Sequence, residues 1–366
     1  MILGGTKDEK QRYTADLLTG CSWHIHRISP LYNFPCDSSN GLQELSSRLE
    51  HHLGESIQAE KEKELGNSLE NNPNNTSSDV NIIQQNEQEK IPTVTVYFKR
   101  CSLEGKNDIQ YLEIQIEIVK QGDKTKSTKY KAIKRKVTKC TKCTLVLFSG
   151  SYKGLMHTKG FRNFTFILSK GKTALIKKVF SWLEVRYDCK VGQTSLTIAP
   201  RHLSKLAKKW SYQDLIQEQQ RDAGSQFHSP GGKEELMMKS FADWKQHSLN
   251  STTSQPLELT FEFPEGVVQS GLEQVKIAIP ERSLLVLHKS MKDAECTEPG
   301  SQFIDAIEAY FYERTSILLN GAKLVRVATP SGVIGAEGRI KILRTKELES
   351  TLNEIANFAQ LEVSLK

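Results

Sequence analysis

Leu112-Glu113-Ile114-Gln115-Ile116-Glu117-Ile118 is the stretch that most limits what this chain can become. Apolar and polar residues alternate without a break, and only an extended strand, whose side chains point to opposite faces in turn, gathers the apolar set on one side. A strand with one dry and one wet face belongs to an antiparallel sheet. Thr93-Val94-Thr95-Val96-Tyr97-Phe98 and Leu257-Glu258-Leu259-Thr260-Phe261-Glu262-Phe263 read the same way, the latter running into Pro264. Trp23-His24-Ile25-His26-Arg27-Ile28 alternates until Ser29-Pro30. Helical spacing takes over at Leu42, Leu45, Leu49 and Leu53, opened by Asn40-Gly41, and at Ala174, Ile176, Val179, Phe180 and Leu183. It returns at Leu203, Leu206 and Trp210, and from Phe303 to Leu318, where Asn320-Gly321 predicts the stop. Pro280 forbids one uninterrupted helix across Lys276 to Leu287.

Between these elements the pattern lapses. Residues 1–20 are polar and expected to be flexible. Residues 54–90 turn to Glu, Asn, Gln and Ser around Asn71-Asn72-Pro73-Asn74-Asn75, too poor in apolar groups to offset the entropy of ordering, and predict a disordered insertion. Residues 213–256 predict a second long, loop-rich connection around one short helix, Glu234 to Trp244. Residues 21–53 and 91–212 then form the N-terminal part of the folded region and residues 257–366 its C-terminal part.

The formal charge of +7 conceals an asymmetry. From Lys120 to Lys209 there are 23 Lys and Arg against 3 acids, a balance of +20, so the remainder of the chain is acidic by 13. Lysines that merely solubilise a surface come with acids interspersed; a field this one-sided attracts a polyanion, nucleic acid foremost. Seven cysteines, an odd number without a secretion signal, suit free thiols in a reducing compartment. No apolar run reaches the ~18 residues of a membrane span, so the chain is expected to be soluble and intracellular, with no membrane partner. Cys140-Thr141-Lys142-Cys143 lacks the second pair of a zinc ribbon, and His24 and His26 lack further ligands, so no metal is expected. Ser169-Lys170-Gly171-Lys172-Thr173 lacks the earlier glycine of a phosphate loop, Phe166 standing there instead. No catalytic constellation and no cofactor motif emerges, which weakens an enzyme reading without removing it, because catalytic groups need only meet in space.

Near the C-terminus two further stretches alternate. In Lys323-Leu324-Val325-Arg326-Val327 parity sets Val325 and Val327 against Leu324 and Arg326; in Arg339-Ile340-Lys341-Ile342-Leu343 it sets basic against apolar. With Ala328 to Gly338 as loop they predict one hairpin. If Val325, Val327, Ile340 and Ile342 cover a core, Arg326, Arg339 and Lys341 emerge together on the wet face. Leu348, Leu352, Ile355 and Ala359 predict a last amphipathic helix over the dry face, and Leu361-Glu362-Val363-Ser364-Leu365 alternates like an added strand.

Four segments, in order, resemble one family. Trp23 to Phe34 with the leucine helix behind it, Phe180 to Trp210 with Tyr187-Asp188-Cys189, the strand Leu257 to Phe263, and the terminal pair Leu324 to Val327 and Gly338 to Leu343 are similar to centromere protein L. The resemblance implies an α+β fold, a twisted, mostly antiparallel sheet with helices packed on one side; the two long disordered insertions read from composition interrupt it and are longer than the family pattern leads one to expect. It also implies a nuclear protein of the centromere and inner kinetochore, without catalytic activity, that pairs with centromere protein N, joins other inner-kinetochore subunits and serves chromosome segregation. The family pattern sets basic residues of the terminal hairpin against DNA of the centromeric nucleosome; the matching positions are Arg326, Arg339 and Lys341, with Lys136 and Lys139 as an extension. An exposed strand edge at Leu361 and Val363 is the expected partner surface, and self-association before the partner arrives stays open. A nucleic-acid-processing enzyme and a general polyanion-binding module are the alternatives.

Overall fold

A computed structural model of the protein describes residues 17–70, 92–102, 110–126, 133–149, 160–225, 257–264, 273–293, 301–319 and 321–361. The fold is α+β and divides into two compact units, one spanning His24–Thr194 and the other built from the chain on either side of it.

The first unit comprises β1 (Ser22–Arg27, whose first two residues belong to the second unit), β2 (Leu31–Tyr32), α1 (Ser39–Glu70), β3 (Thr93–Ser102), β4 (Gln110–Lys126), β5 (Ile133–Ser149), β6 (Phe161–Arg162), β7 (Phe166–Gly171) and α2 (Thr173–Tyr187). Its strands run in the order β3-β4-β5-β7-β1, every neighbour antiparallel, while β2 and β6 pair apart. As the alternation of β4 requires, Leu112, Ile114, Ile116 and Ile118 are buried in one cluster with Leu45, Leu49 and Leu53 of α1 and Val179, Phe180 and Leu183 of α2. Gly41 lets α1 start hard against the preceding turn, since a Cβ there would stand 2.1 Å from the Pro35 carbonyl oxygen. The opposite face near β5, β7 and β1 is buried too, at Val146, Phe148, Phe166, Leu168 and Ile25.

The helix α1 corrects one expectation, because it runs on through residues 54–70, where disorder was predicted. Glu, Lys and Gln are good helix formers even where they bury nothing, and Lys178 of α2 ties α1 down by an ion pair to Glu60 at 2.7 Å. Residues 71–90, the rest of that expected insertion, lie outside the described residues.

The second unit holds α3 (Pro200–Ser225), β8 (Leu257–Glu262), β9 (Gln274–Ile279), α4 (Glu281–Asp293), α5 (Ser301–Thr315), β10 (Lys323–Ala328), β11 (Gly332–Gly335), β12 (Arg339–Ile342) and α6 (Leu348–Leu361). Its strands lie in the order β12-β11-β10-β8-β9, again antiparallel. Leu259, Phe261, Ile277, Leu324, Val327, Ile334 and Ile340 are buried on the dry side, as are Leu203, Leu206 and Trp210 of α3, which packs against β10 and β11. Trp210 donates from Nε1 to Thr351 Oγ1 of α6 at 3.0 Å. One turn on, Asp214 Oδ1 accepts from the Ser331 hydroxyl and from Arg344 Nη1, each at 2.6 Å.

Four expectations change here. Residues 213–225 continue α3 instead of opening a loop, and residues 226–256 lie outside the described residues. The helix α5 stops at Thr315, with Ser316 in the left-handed region at φ 58°, before the Asn-Gly signal is reached. The supposed loop Ala328 to Gly338 contains β11, so the expected hairpin is a three-stranded meander. Leu361 is the last residue of α6, a helix and not a strand edge, and Val363 lies outside the described residues.

Burial lowers the pKa of His26, His202 and His288, the last to about 4. An unfolded imidazole titrates near ~6.5, so the folded state refuses a proton that the unfolded chain takes. Stability is therefore complete above about pH 6.5 and lost as pH falls from there, by up to about 1.4 kcal/mol per unit for each such imidazole. The melting temperature should fall between about pH 6.5 and pH 5, and His288→Gln should flatten that slope. A second prediction concerns Gly332, whose added Cβ would stand 2.9 Å from the Lys341 carbonyl oxygen and 3.2 Å from the Trp210 ring. Gly332→Val should cost about 1–3 kcal/mol in denaturant unfolding. Gly335→Ala should cost little, since the nearest atoms an added Cβ would meet are the movable carboxylate end of Glu337.

Candidate nucleic-acid interface

Strand register determines which side chains of the meander share a face. Arg326 pairs with Gly335, Ala328 with Val333, and Val333 with Lys341; by the same register Gly335 stands opposite Arg339 across the turn that closes β11 onto β12. Arg326, Arg339 and Lys341 thus lie on one face, while Val327, Ile334 and Ile340 form the buried row on the other. With neighbouring strands ~4.8 Å apart, Arg326 and Arg339 stand ~10 Å from each other, and Gly335 between them carries no side chain.

The route to this face differs from simple parity. Leu324 pairs with Phe261 but Arg326 pairs with Thr260, so Val325 is an extra residue, a β-bulge. The bulge puts Leu324 and Val327, three residues apart, on the same dry side, and leaves Val325 half-buried. Sequence parity had set Leu324 beside Arg326 and Val325 in the core; one inserted residue reverses both. The Val325 carbonyl accepts from the Ala336 amide at 2.7 Å, which ties the bulge to the following turn.

Register also supplies residues that sequence reasoning missed. Lys276 pairs with Thr260, and Thr260 with Arg326, so a polar row crosses all five strands from Lys276 to Arg339. Lys323, opposite Glu262, lies on this side as well. The alternation in Gln274-Val275-Lys276-Ile277-Ala278-Ile279 was the signal that could have found Lys276. The Ser22 hydroxyl accepts from Arg339 Nε at 2.7 Å and steadies its guanidinium. Acids share the face: Glu258 and Glu262 on β8, and Glu337, whose Oε2 lies 2.2 Å from where a Gly335 Cβ would be. That places a carboxylate in the gap between the two arginines.

Lys136 and Lys139 belong to the other unit, on β5, opposite Asp123 and Lys120 respectively. Among the described residues, no three His, Cys, Asp or Glu side chains converge to hold a metal, and no helix is long and apolar enough to cross a membrane. Cys140 is exposed and Cys143 buried, its thiol pushed up to about 12 by burial, so this pair offers no shared site.

Two serine–histidine pairs have bonding distances of a nucleophile and its base. His26 Nε2 lies 2.9 Å from Ser169 Oγ while its Nδ1 meets the Gly192 carbonyl at 3.0 Å. Because the carbonyl only accepts, Nδ1 carries the proton and the serine hydroxyl donates to Nε2. His288 Nε2 lies 2.9 Å from Ser211 Oγ. Both serines are sealed, at 1% and 2% exposure, so no substrate reaches either oxygen, and the pairs satisfy buried polar groups.

A search of curated proteins finds no match to this chain. The family model for Centromere protein L matches residues 17–363 of the 366, nearly the whole chain. The order of segments that first suggested the family thus extends through both units, and the chain belongs to the centromere protein L family, whose place is the inner kinetochore.

Proposed function

We propose that this protein is a non-enzymatic structural subunit of the inner kinetochore that pairs with centromere protein N and lays its Arg326, Arg339 and Lys341 face against centromeric DNA during kinetochore assembly and chromosome segregation. The observation that carries the reading is the register of the meander: three cations on one face, with the hydrophobic core directly behind them. Lysine and arginine on a rigid sheet suit phosphates, which gives affinity without sequence preference. Lys136 and Lys139 are further DNA contacts in this reading, and the chain's end at Leu361 and Val363 is the surface offered to the partner. Its setting is the nucleus, at the centromere.

Co-expressed with centromere protein N of the same species, the chain should leave a sizing column as one complex; separate elution of two folded proteins would remove the pairing. Changing Arg326, Arg339 and Lys341 together to Glu should leave that complex intact, weaken duplex binding and lower the slope of log affinity on log salt by about 2.7, roughly 0.9 for each lost phosphate contact. An unaltered slope would take the face off the DNA path. Glu337→Gln should act in the opposite direction, tightening duplex binding a few-fold by removing the carboxylate between the arginines.

A further inference from the structure

The outward side of α3 carries its charges in one line. From Pro200 to Gln213 the sequence holds four basic residues, Arg201, Lys205, Lys208 and Lys209, and no acid. Leu203, Leu206, Ala207 and Trp210 take the buried side. Arg201, Lys205 and Tyr212 are exposed and Lys208 is half-buried. Arg201, Lys205, Lys208 and Tyr212 follow one another at intervals of four, three and four residues, the spacing that keeps side chains on one helix face. At ~1.5 Å per residue the row is ~16 Å long.

Helix energetics disfavour such a row. Like charges three or four residues apart repel, and a cation in the first turn opposes the positive end of the helix dipole; α3 places Arg201 there and no acid. A surface that served only solubility would set acids at those intervals. The counter-charge that α3 does receive comes from α6, where Glu354 lies 3.2 Å from Lys205 Nζ and 3.0 Å from Lys209 Nζ. Lys208 faces α4 instead, toward His288, whose pKa is lowered by burial and then by the charge of Lys208. The Tyr212 ring lies 5.5 Å from the same imidazole. One carboxylate thus fits between two lysines a turn apart, and Arg201 and Lys208 repeat that cationic chemistry along the row.

We propose that Arg201, Lys205, Lys208 and Tyr212 form a docking surface for an acidic amphipathic helix of a partner protein, which sets carboxylates over the three cations and an apolar side chain over the tyrosine. A helix fits better than duplex DNA. The intervals are those of a coiled-coil seam, along which two helices pack at about 20°. The row ends on a ring that is 52% exposed, apolar surface that a phosphate does not use. Glu354 also fixes a negative charge beside the row; separate carboxylate side chains can be spaced to avoid it, whereas a duplex brings one charge per ~1.7 Å of its axis. None of these residues belongs to the meander, so this reading and the DNA face stand or fall separately.

The test is fluorescence anisotropy on the full chain with a labelled peptide of about 18 residues, long enough to be helical. In an Ala-Gln background it carries three Glu separated by four and three residues, and a Leu four residues beyond the last. It should bind roughly tenfold more tightly than a permuted peptide of the same composition whose Glu are spread around the helix, and its affinity should fall with added salt. Changing Arg201 and Lys208 together to Glu should remove that preference and transfer binding to a peptide with Lys in place of each Glu, a charge-swap rescue that an unfolded variant cannot give. Tyr212→Ser should weaken the first peptide about threefold, while the Arg326, Arg339 and Lys341 variant should bind it as the wild type does. Equal affinity for the ordered and permuted peptides would overturn the proposal, as would unaltered peptide binding in the Arg201 and Lys208 variant, or a variant that loses duplex DNA and keeps the peptide.

Discussion

The indole of Trp210 against the backbone of Gly332 is the contact on which the basic meander depends. It closes the space where any larger residue would carry its Cβ, and its ring nitrogen is held at 3.0 Å by Thr351 of α6. Four residues along α3, Asp214 binds Ser331 in the turn between β10 and β11 and Arg344 just past β12. One helix therefore grips the middle and the end of the segment that displays the cations. A charged face is useful for phosphate recognition only if its charges are held at fixed spacing, and here that rigidity comes from the dry side of the sheet.

Charge is divided by the fold as well as by the sequence. The acids of the second unit do not shield all of its cations equally: Glu258 and Glu262 sit on β8, toward Lys276 and Lys323, whereas Glu337 stands over the arginine gap. The buried histidines follow a different logic. Each is neutral, bonded or stacked, and packed among apolar groups, as where His288 lies 5.2 Å from Phe303 with nearly parallel rings. A protonatable side chain beside a serine is thus as consistent with a well-satisfied core as with chemistry, and accessibility separates the two.

Much of this was readable in advance wherever one period dominated. Leu112 to Ile118 was fixed as a half-buried strand because no other conformation collects those isoleucines on one side, and Leu45, Leu49 and Leu53 announced their helix for the same reason. The three cations were placed on one face correctly, although Leu324 and Val325 were exchanged, since a bulge leaves no mark in an alternating pattern. The strand β11 was missed because Gly332-Val333-Ile334-Gly335 is short and bounded by glycines, which read as a turn. Residues 54–70 and 213–225 were misjudged because polarity was taken for disorder, when Glu, Lys and Gln extend a helix already nucleated by its buried end. Nothing local could pair Lys276 with Thr260 and Arg326, since that row is made by strands far apart in sequence.

The bulge at Val325 also bears on how such a surface withstands drift. Gain or loss of one residue between Leu324 and Val327 would not only turn Arg326 inward but also carry one of those two apolar side chains into water. A length change that spoils the charged surface is therefore a length change that unsettles the core, and selection for folding alone would purge it. Substitution at Arg326 itself enjoys no such protection. The geometry of the face is insured by packing, whereas its chemistry must be maintained by whatever it binds.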